Sequence, residues 1–365
     1  MINIALIGCG RVSEFHCKAI KKQKKLKLIA CCDLDINKAK YLAKKYKAQS
    51  FSNYNEMLKN LPQIDIVAII TPSGMHYKHA KSIIIKYKKN LIIEKPICLK
   101  TTNLINLFKI AKTKRVKIYP IFQNRYNKAV RRVKLALQNN ELGKIRTINV
   151  TVRWCRPQRY YDLSTWRGTY SHDGGALSNQ GIHYVDILQY LSGGILEVSC
   201  IARTLGANIE VEDTALGLFK LKSGGIGSLE VTTSARPDDF EGSLTIVGSK
   251  GLAKISGLAL NKIEIFSPSP KDIKKFSDNF SDLPDRGRVY GRGHFDTYAD
   301  IQKDIFTKKK YPIDFKQSYK SINFLNSLYS SYENKSKWIK LNKTIISKKL
   351  GRVNNRISKL YTTDN

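Results

Sequence analysis

"INIALIGCGRVSEFHCKAI", Ile2 to Ile20, is the stretch on which the fold turns. "INIALIG" is a nearly unbroken apolar run ended by glycine, the pattern of a strand buried on both faces of a parallel sheet. A helical pattern follows over 14–22. Between them lies "GCGRVS", Gly8 to Ser13. Gly8 allows the tight strand-to-helix turn, Gly10 lets backbone approach a pyrophosphate, and the helix N-terminus attracts that anion. Ser13 stands where the fingerprint usually has its third glycine, and it is small enough for close helix–strand packing. Asp33 ends the next apolar run, "KLKLIACCD", where a carboxylate accepts hydrogen bonds from the adenosine ribose. Gly8, Gly10, Arg11, Val12 and Asp33 therefore predict a dinucleotide site, with NAD favoured over NADP.

The same alternation continues. "IDIVAIIT", "NLIIEKP" and "VKIYPIF" read as further strands, and helical patterns separate them at 36–46, 54–60, 75–88 and 101–113. Strand–helix alternation predicts a parallel sheet with helices on both faces, a Rossmann domain over 1–123. The pattern changes at "NKAVRRVKLALQNNEL", one expected helix, followed by a long strand, "IRTINVTVRW". Several period-two runs lie between 196 and 265, broken by Gly-Gly and Ser-Lys-Gly turns. Residues 268–290 read as a loop, and helices are expected near 293–307 and 315–333. The expectation is an α/β protein whose second domain, 124–340, is α+β with a mostly antiparallel open sheet, trailed by a basic, solvated extension at 341–365.

Composition narrows the function classes. The formal net charge is +35, but the excess is lysine, 47 against 17 arginines, scattered along the chain with no basic block interleaved with stacking aromatics. Nucleic-acid binding is therefore not expected. No stretch approaches the roughly 20 apolar residues that span a bilayer, and the N-terminus lacks the pattern of a signal peptide. Seven cysteines without paired spacing fit a reducing, cytoplasmic setting, and no metal-ligand spacing is evident. Arginine is scarce, so its placement is informative. Five lie between Arg146 and Arg167, in and around "RWCRPQRYYDLSTWRG". Their planar fork suits phosphate and carboxylate.

Two more loops leave the ends of strands, where ligands bind in such sheets. One is "TPSGMHYKHA", with Thr71, Pro72 and His76; the other is "EKPICL", with Glu94 and Lys95. Pro96 restricts Lys95 to extended backbone, so the lysine leaves from a defined position. Further on, "GGALSNQGIHYVDIL" places Asn179 and His183 four residues apart, on one face of an expected helix.

Taken together, "GCGRVS", "TPSGMHYKHA", "EKP" and "GGALSNQGIHYVDIL" resemble, in order and spacing, the Gfo/Idh/MocA oxidoreductases, up to about residue 340. The resemblance implies that Lys95 lies beside sugar and nicotinamide, and that His183 is the catalytic histidine. Where the family has an aspartate, this chain has Asn179, which cannot ionise and so can orient but not act as base. The longer string from Arg153, with "FQNRYNKAVRRVK", resembles the WlbA/WbpB-type branch, which oxidises UDP-N-acetylglucosaminuronic acid at C3 for diacetamido uronic acids of surface polysaccharide (O-antigen). For such a diphosphate and carboxylate the candidate ligands are Arg125, Arg153, Arg156 and Arg167, with Tyr160, Tyr161 and Trp166 to pack on sugar or uracil. By the same resemblance a homo-oligomer, dimer or tetramer, is expected. A dehydrogenase for a free polyol such as inositol, and a dinucleotide-binding regulator without turnover, are the competing readings. Retention of Lys95 and His183 speaks against the regulator.

Overall fold

The structure, a computed structural model, describes residues 1–280, 291–307 and 309–362. The chain divides into two units, each assembled from separated segments: Met1–Ile121 with His294–Tyr319 and Val353–Asn365, and Phe122–Gly293 with Lys320–Arg352.

The first unit carries β1 (Ile2–Ile7), β2 (Leu26–Cys32), β3 (Gln49–Phe51), β4 (Ile66–Ile69), β5 (Asn90–Ile93) and β6 (Ile118–Pro120), all parallel, in the order β3-β2-β1-β4-β5-β6. The five expected strands are present. The sixth, β3, is a three-residue edge strand, too short to show a period. The order reverses between β1 and β4, so the carboxyl ends of those two strands border the crevice where doubly wound sheets bind ligands. The connecting helices, Ser13–Lys22, Ile36–Tyr46, Tyr54–Asn60, His76–Tyr87 and Thr101–Lys114, follow the expected pattern. Local chemistry sets their ends: Asp35 and Asn53 accept the first free N–H groups of the second and third.

Helix Gly293–Phe306, expected in the second domain, belongs from His294 onward to the first unit. Tyr298 and Ile301 are fully buried in one apolar cluster with Ile4, Leu6, Ala68 and Ile92. Its apolar stripe must cover a sheet, and nothing local in the sequence records which sheet.

The second unit is built on β7 (Ile145–Arg153), β8 (Ile195–Arg203), β9 (Thr214–Leu221), β10 (Ile226–Thr232), β11 (Glu241–Gly248), β12 (Leu252–Ser256), β13 (Lys262–Phe266) and β14 (Ile339–Lys340). Their order is β13-β12-β11-β7-β10-β9-β8-β14, and only the β7–β10 pair is parallel. Register aligns Val198, Phe219, Ile148 and Ile246 along one buried face, where Phe324 of helix Phe315–Glu333 meets Phe219 with ring centroids 6.0 Å apart. The opposite face stays open: Ile201, Leu216, Leu218 and Ile226 are each about half exposed.

Three expectations need correction. Residues 268–290 are not one loop, since Asp272–Phe276 is helical; 281–290 lie outside the described residues. The basic tail is not a solvated appendage. Ser347 and Leu350 are fully buried, Glu333 accepts hydrogen bonds from Ser347, Lys348 and Lys349, and Gly351 N–H bonds the Tyr170 carbonyl. From Val353 the chain is part of the first unit, where a short helix, Asn355–Lys359, forms and the Tyr361 carbonyl accepts from His79 Nε2 at 3.0 Å. The few apolar residues between the lysines do the packing, and their positions show no period. The first division falls at Ile121/Phe122, beside the expected 123, but the expected boundary at 340 lies inside the segment Lys320–Arg352, and the first unit takes back His294–Tyr319 and the chain from Val353.

Candidate active site

Gly8 has φ +94°, and a Cβ there would stand 2.5 Å from the Ile70 carbonyl oxygen, so β1 and β4 can come together only if this residue is glycine. Around Gly10 nothing lies within 4 Å of a would-be Cβ, which leaves the backbone approachable. Ser13, in the third fingerprint position, is buried and donates its hydroxyl to the Gly10 carbonyl at 2.6 Å, closing the loop onto the helix. Val12 caps that helix, and Arg11 is exposed beside it. Asp33 is oriented from two sides: Oδ2 accepts the Cys9 N–H at 2.7 Å and Oδ1 the Asp35 N–H at 2.9 Å. Its carboxylate thus stands next to the glycine loop, as a ribose ligand must. A dinucleotide fits this cradle.

The loop after β4 is braced by two histidines. Thr71 Oγ1 lies 3.0 Å from His79 Nδ1. His76 is buried with Nδ1 2.8 Å from the Pro96 carbonyl and Nε2 2.8 Å from the Thr71 carbonyl. Burial draws its pKa down, so the ring is neutral and donates to one of the two. His76, on the first of the two strand-end ligand loops, ties the Thr71-Pro72 loop to the Lys95-Pro96 loop. Glu94, on the second of those loops, has both carboxylate oxygens bonded within the protein. It is 4% exposed, its Oε1 accepts from His16 and His294, and its Oε2 accepts the Lys95 N–H. Lys95 itself is partly exposed. The Glu94–His16–His294 cluster joins three distant segments, and no local spacing announces it.

In the second unit the expected single helix is two pieces, Gly175–Asn179 and Ile182–Leu191. Both Gln180 and Gly181 donate to the Ala176 carbonyl, a wide turn of the π type that interrupts the ladder. Asn179 and His183 therefore lie on either side of that break in the ladder. Asn179 donates its amide to Asp173, a buried carboxylate that also holds the Gly168 N–H at 2.8 Å. His183 is 6% exposed, with Nε2 3.5 Å from the amide nitrogen of the buried Gln123. In that contact the amide donates to the ring's lone pair, which holds the orientation of the imidazole.

The arginines are sorted by their partners. Arg125, a candidate for substrate, is buried in a two-bond pair with Asp186 at 2.7 and 2.6 Å and stacks on Tyr190. Arg153 bonds Glu230 and Glu241 across the sheet. Arg156 bonds Asp239 at 2.6 Å and lies over Trp154 and Tyr160. Of the four candidates only Arg167 has no carboxylate partner among the described residues. It lies 4.3 Å over the Tyr160 ring and 4.7 Å over Trp166, and its Nε is buried without a hydrogen-bond partner. Tyr160 accepts from Gln180, while Tyr161 is buried with its hydroxyl 3.0 Å from Thr233. Arginine type alone does not reveal which fork is already filled; the acidic partners are 61 to 88 residues away.

Beneath the Gly-Gly turn lies Glu212, fully enclosed. Its Oε1 accepts from Tyr329 at 2.6 Å and from Leu177 N–H at 3.1 Å, and burial pushes its pKa up to about 8. A Cβ on Gly175 would stand 2.3 Å from this carboxyl, which explains glycine there.

A dinucleotide cradle on a Rossmann sheet, a strand-end lysine and a second unit bearing a buried histidine define an NAD-dependent oxidoreductase. The chain belongs to the Gfo/Idh/MocA family: residues 2–122 match the oxidoreductase family's NAD-binding Rossmann fold and 130–254 match the GFO/IDH/MocA C-terminal domain. It is similar to the WlbA dehydrogenase of Bordetella pertussis, solved with NADH and UDP-GlcNAcA, at 31% identity and TM-score 0.86 over 94% of this chain and 98% of that one. It is similar also to the WlbA dehydrogenase of Chromobacterium violaceum, solved with the same two molecules, at 33% identity and TM-score 0.83 over 93% and 95%. An uncharacterized oxidoreductase of Synechocystis is 30% identical over 216 residues, 58% of this chain, and the match spans only 54% of that relative's length. Among the described residues no helix is long and apolar enough to cross a membrane.

Proposed function

We propose that the protein oxidises a secondary alcohol of a UDP-linked amino-sugar acid, C3 of UDP-N-acetylglucosaminuronate, ahead of transamination toward diacetamido uronic acids of surface polysaccharide. The observation that carries this reading is the likeness to the WlbA dehydrogenases over nearly the full length of both chains. NAD, held at the Gly8–Ser13 loop and Asp33, would supply the hydride acceptor for the substrate carbon. The residues of the chain do the rest. His183 accepts the hydroxyl proton at a ring nitrogen, and the Lys95 ammonium stabilises the developing alkoxide. Arg167, free of any carboxylate among the described residues and stacked between Tyr160 and Trp166, takes the anionic part of the substrate. Asn179, held by Asp173, contributes orientation and no proton transfer.

The open apolar face of the second sheet, with Ile201, Leu216 and Leu218 half exposed on paired strands, supports a homo-oligomer, a dimer or tetramer. Light scattering at micromolar concentration checks that point.

The catalytic test is single turnover with NAD and UDP-N-acetylglucosaminuronate, monitored for NADH and for a 3-keto product. Formation of either supports the reading. Folded enzyme that turns over a free polyol such as inositol but not the nucleotide sugar would replace it, and folded enzyme that binds NAD and turns over neither would leave a regulator.

A further inference from the structure

Four buried side chains in the first unit form a network that the reaction above does not use directly. His16 Nε2 lies 3.0 Å and His294 Nε2 3.1 Å from the same oxygen, Oε1 of Glu94. His16 Nδ1 lies 2.9 Å from the Tyr298 hydroxyl. His16, His294 and Tyr298 are 0% exposed and Glu94 is 4% exposed. The other Glu94 oxygen accepts the backbone N–H of Lys95 at 2.9 Å. Two segments far apart in the sequence, around His16 and around His294, thus converge on the residue before the lysine.

Protonation states follow from the geometry. Burial opposes a charge on Glu94, but the hydrogen bonds from His16 and His294 outweigh it and hold the carboxyl well below the ordinary range. Burial keeps His16 neutral against the pull of Glu94. A neutral His16 that donates from Nε2 must accept at Nδ1, so Tyr298 O–H is the donor there. The chain of donors runs one way: Tyr298 to His16 to Glu94, with His294 and the Lys95 amide as further donors to the same carboxylate. The ligand atoms of His16, Glu94 and His294 lie within 4.8 Å of one another, near enough for a divalent cation. However, both nitrogens are spent as N–H donors to one oxygen, which favours a hydrogen-bonded carboxylate over a metal centre.

We propose that His16, His294 and Tyr298 are positioning residues for Lys95: they fix the Glu94 carboxylate, which grips the Lys95 amide and sets the direction in which the lysine leaves β5. The proposal rests on the role given to Lys95 above. A reacting group displaced by about 1 Å can lose on the order of 100-fold in rate, so such a brace has catalytic consequence without touching substrate.

The test uses the full chain with His294→Leu, which keeps volume but removes a donor, His294→Gln, whose amide restores a donor near Nε2, and the milder Tyr298→Phe. His294→Leu should lower the single-turnover rate by about 10- to 100-fold, with NADH affinity within about 3-fold of wild type, and His294→Gln should recover most of the rate. In a Lys95→Ala background the same His294→Leu change should alter the rate by less than about 2-fold, because it acts through the lysine. Amide exchange of the peptide containing Lys95 should quicken in His294→Leu and Tyr298→Phe and slow again in His294→Gln. This last readout needs no substrate. If Lys95→Ala alone keeps the full rate, the reading of the lysine fails, while exchange still decides the brace. Unchanged exchange at Lys95, an equal rate loss with and without Lys95, or about one equivalent of divalent metal that His294→Leu removes would each overturn the proposal.

Discussion

The guanidinium of Arg125 and the carboxylate of Asp186 meet through two hydrogen bonds of 2.7 and 2.6 Å, both side chains almost wholly buried, and Ser321 adds a third bond to the same carboxylate. Removing one member leaves a buried charge without its counter-ion, which costs about 3–5 kcal/mol. Arg125→Ala and Asp186→Ala should each lose about that much in urea unfolding, and the folded fraction should keep its substrate affinity. A raised Michaelis constant with unchanged stability would instead return Arg125 to the substrate.

Arg167 should behave in the opposite way. Its guanidinium is held by aromatic faces and not by a carboxylate among the described residues. Arg167→Ala should raise the Michaelis constant for the nucleotide sugar by about 10- to 100-fold, the worth of a charge-assisted bond or two, with little change in melting temperature. Arg153→Ala, whose fork is occupied by Glu230 and Glu241, should leave that constant within about 2-fold.

Glu212 makes stability depend on pH. Its folded pKa is raised to about 8 by burial, so the folded state binds the proton more tightly than the unfolded one. That contribution is complete below the unfolded value of about 4.5 and fades as pH rises to about 8. The decline can reach several kcal/mol, at about 1.4 kcal/mol per unit. Denaturant unfolding of wild type and Glu212→Gln across pH 5 to 9 checks it: the difference should move steadily in favour of the glutamine variant as pH rises.

Gly8→Ala adds a methyl 2.5 Å from the Ile70 carbonyl at φ +94°. Left-handed strain alone costs about 1–2 kcal/mol, and the clash adds to it. NADH affinity, read by fluorescence titration, should fall at least about 10-fold.

Asp33→Ser removes the carboxylate held by Cys9 N–H beside the glycine loop. NAD should bind about 10- to 100-fold more weakly, and the preference over NADP should shrink or reverse, because repulsion of a 2′-phosphate is lost with the charge. Isothermal titration with both dinucleotides gives the answer.

Much of the first unit was legible along the chain. Unbroken apolar runs ended by Gly8, Asp33 and Pro72 marked buried parallel strands, and Asp35 and Asn53 cap helices at the places where the helical period begins. The glycine loop needed only the order of three residues and the strand before it. By contrast, the break at Gln180–Gly181 left no trace in composition, since both residues keep helical backbone angles and only the hydrogen-bond ladder shifts. The tail looked solvated because its lysines outnumber its apolar residues, yet Ser347 and Leu350 are buried and Glu333 holds Ser347, Lys348 and Lys349.

What the sequence by itself determined is the alternation of elements and the dinucleotide cradle at Gly8 to Ser13, carried by period and by local turn chemistry, while the candidacy of Lys95 and His183 came from the resemblance of their motifs to a known family. Only the tertiary structure decided which charges are spent. Arg125 goes to Asp186, Arg153 to Glu230 and Glu241, Arg156 to Asp239, and Glu94 to His16 and His294, while Arg167 keeps its fork free of carboxylates among the described residues. The reason is physical. A burial pattern repeats every two or three to four residues, so it is written locally, whereas a charge finds its partner only where the chain returns, and that return depends on the packing of every element between.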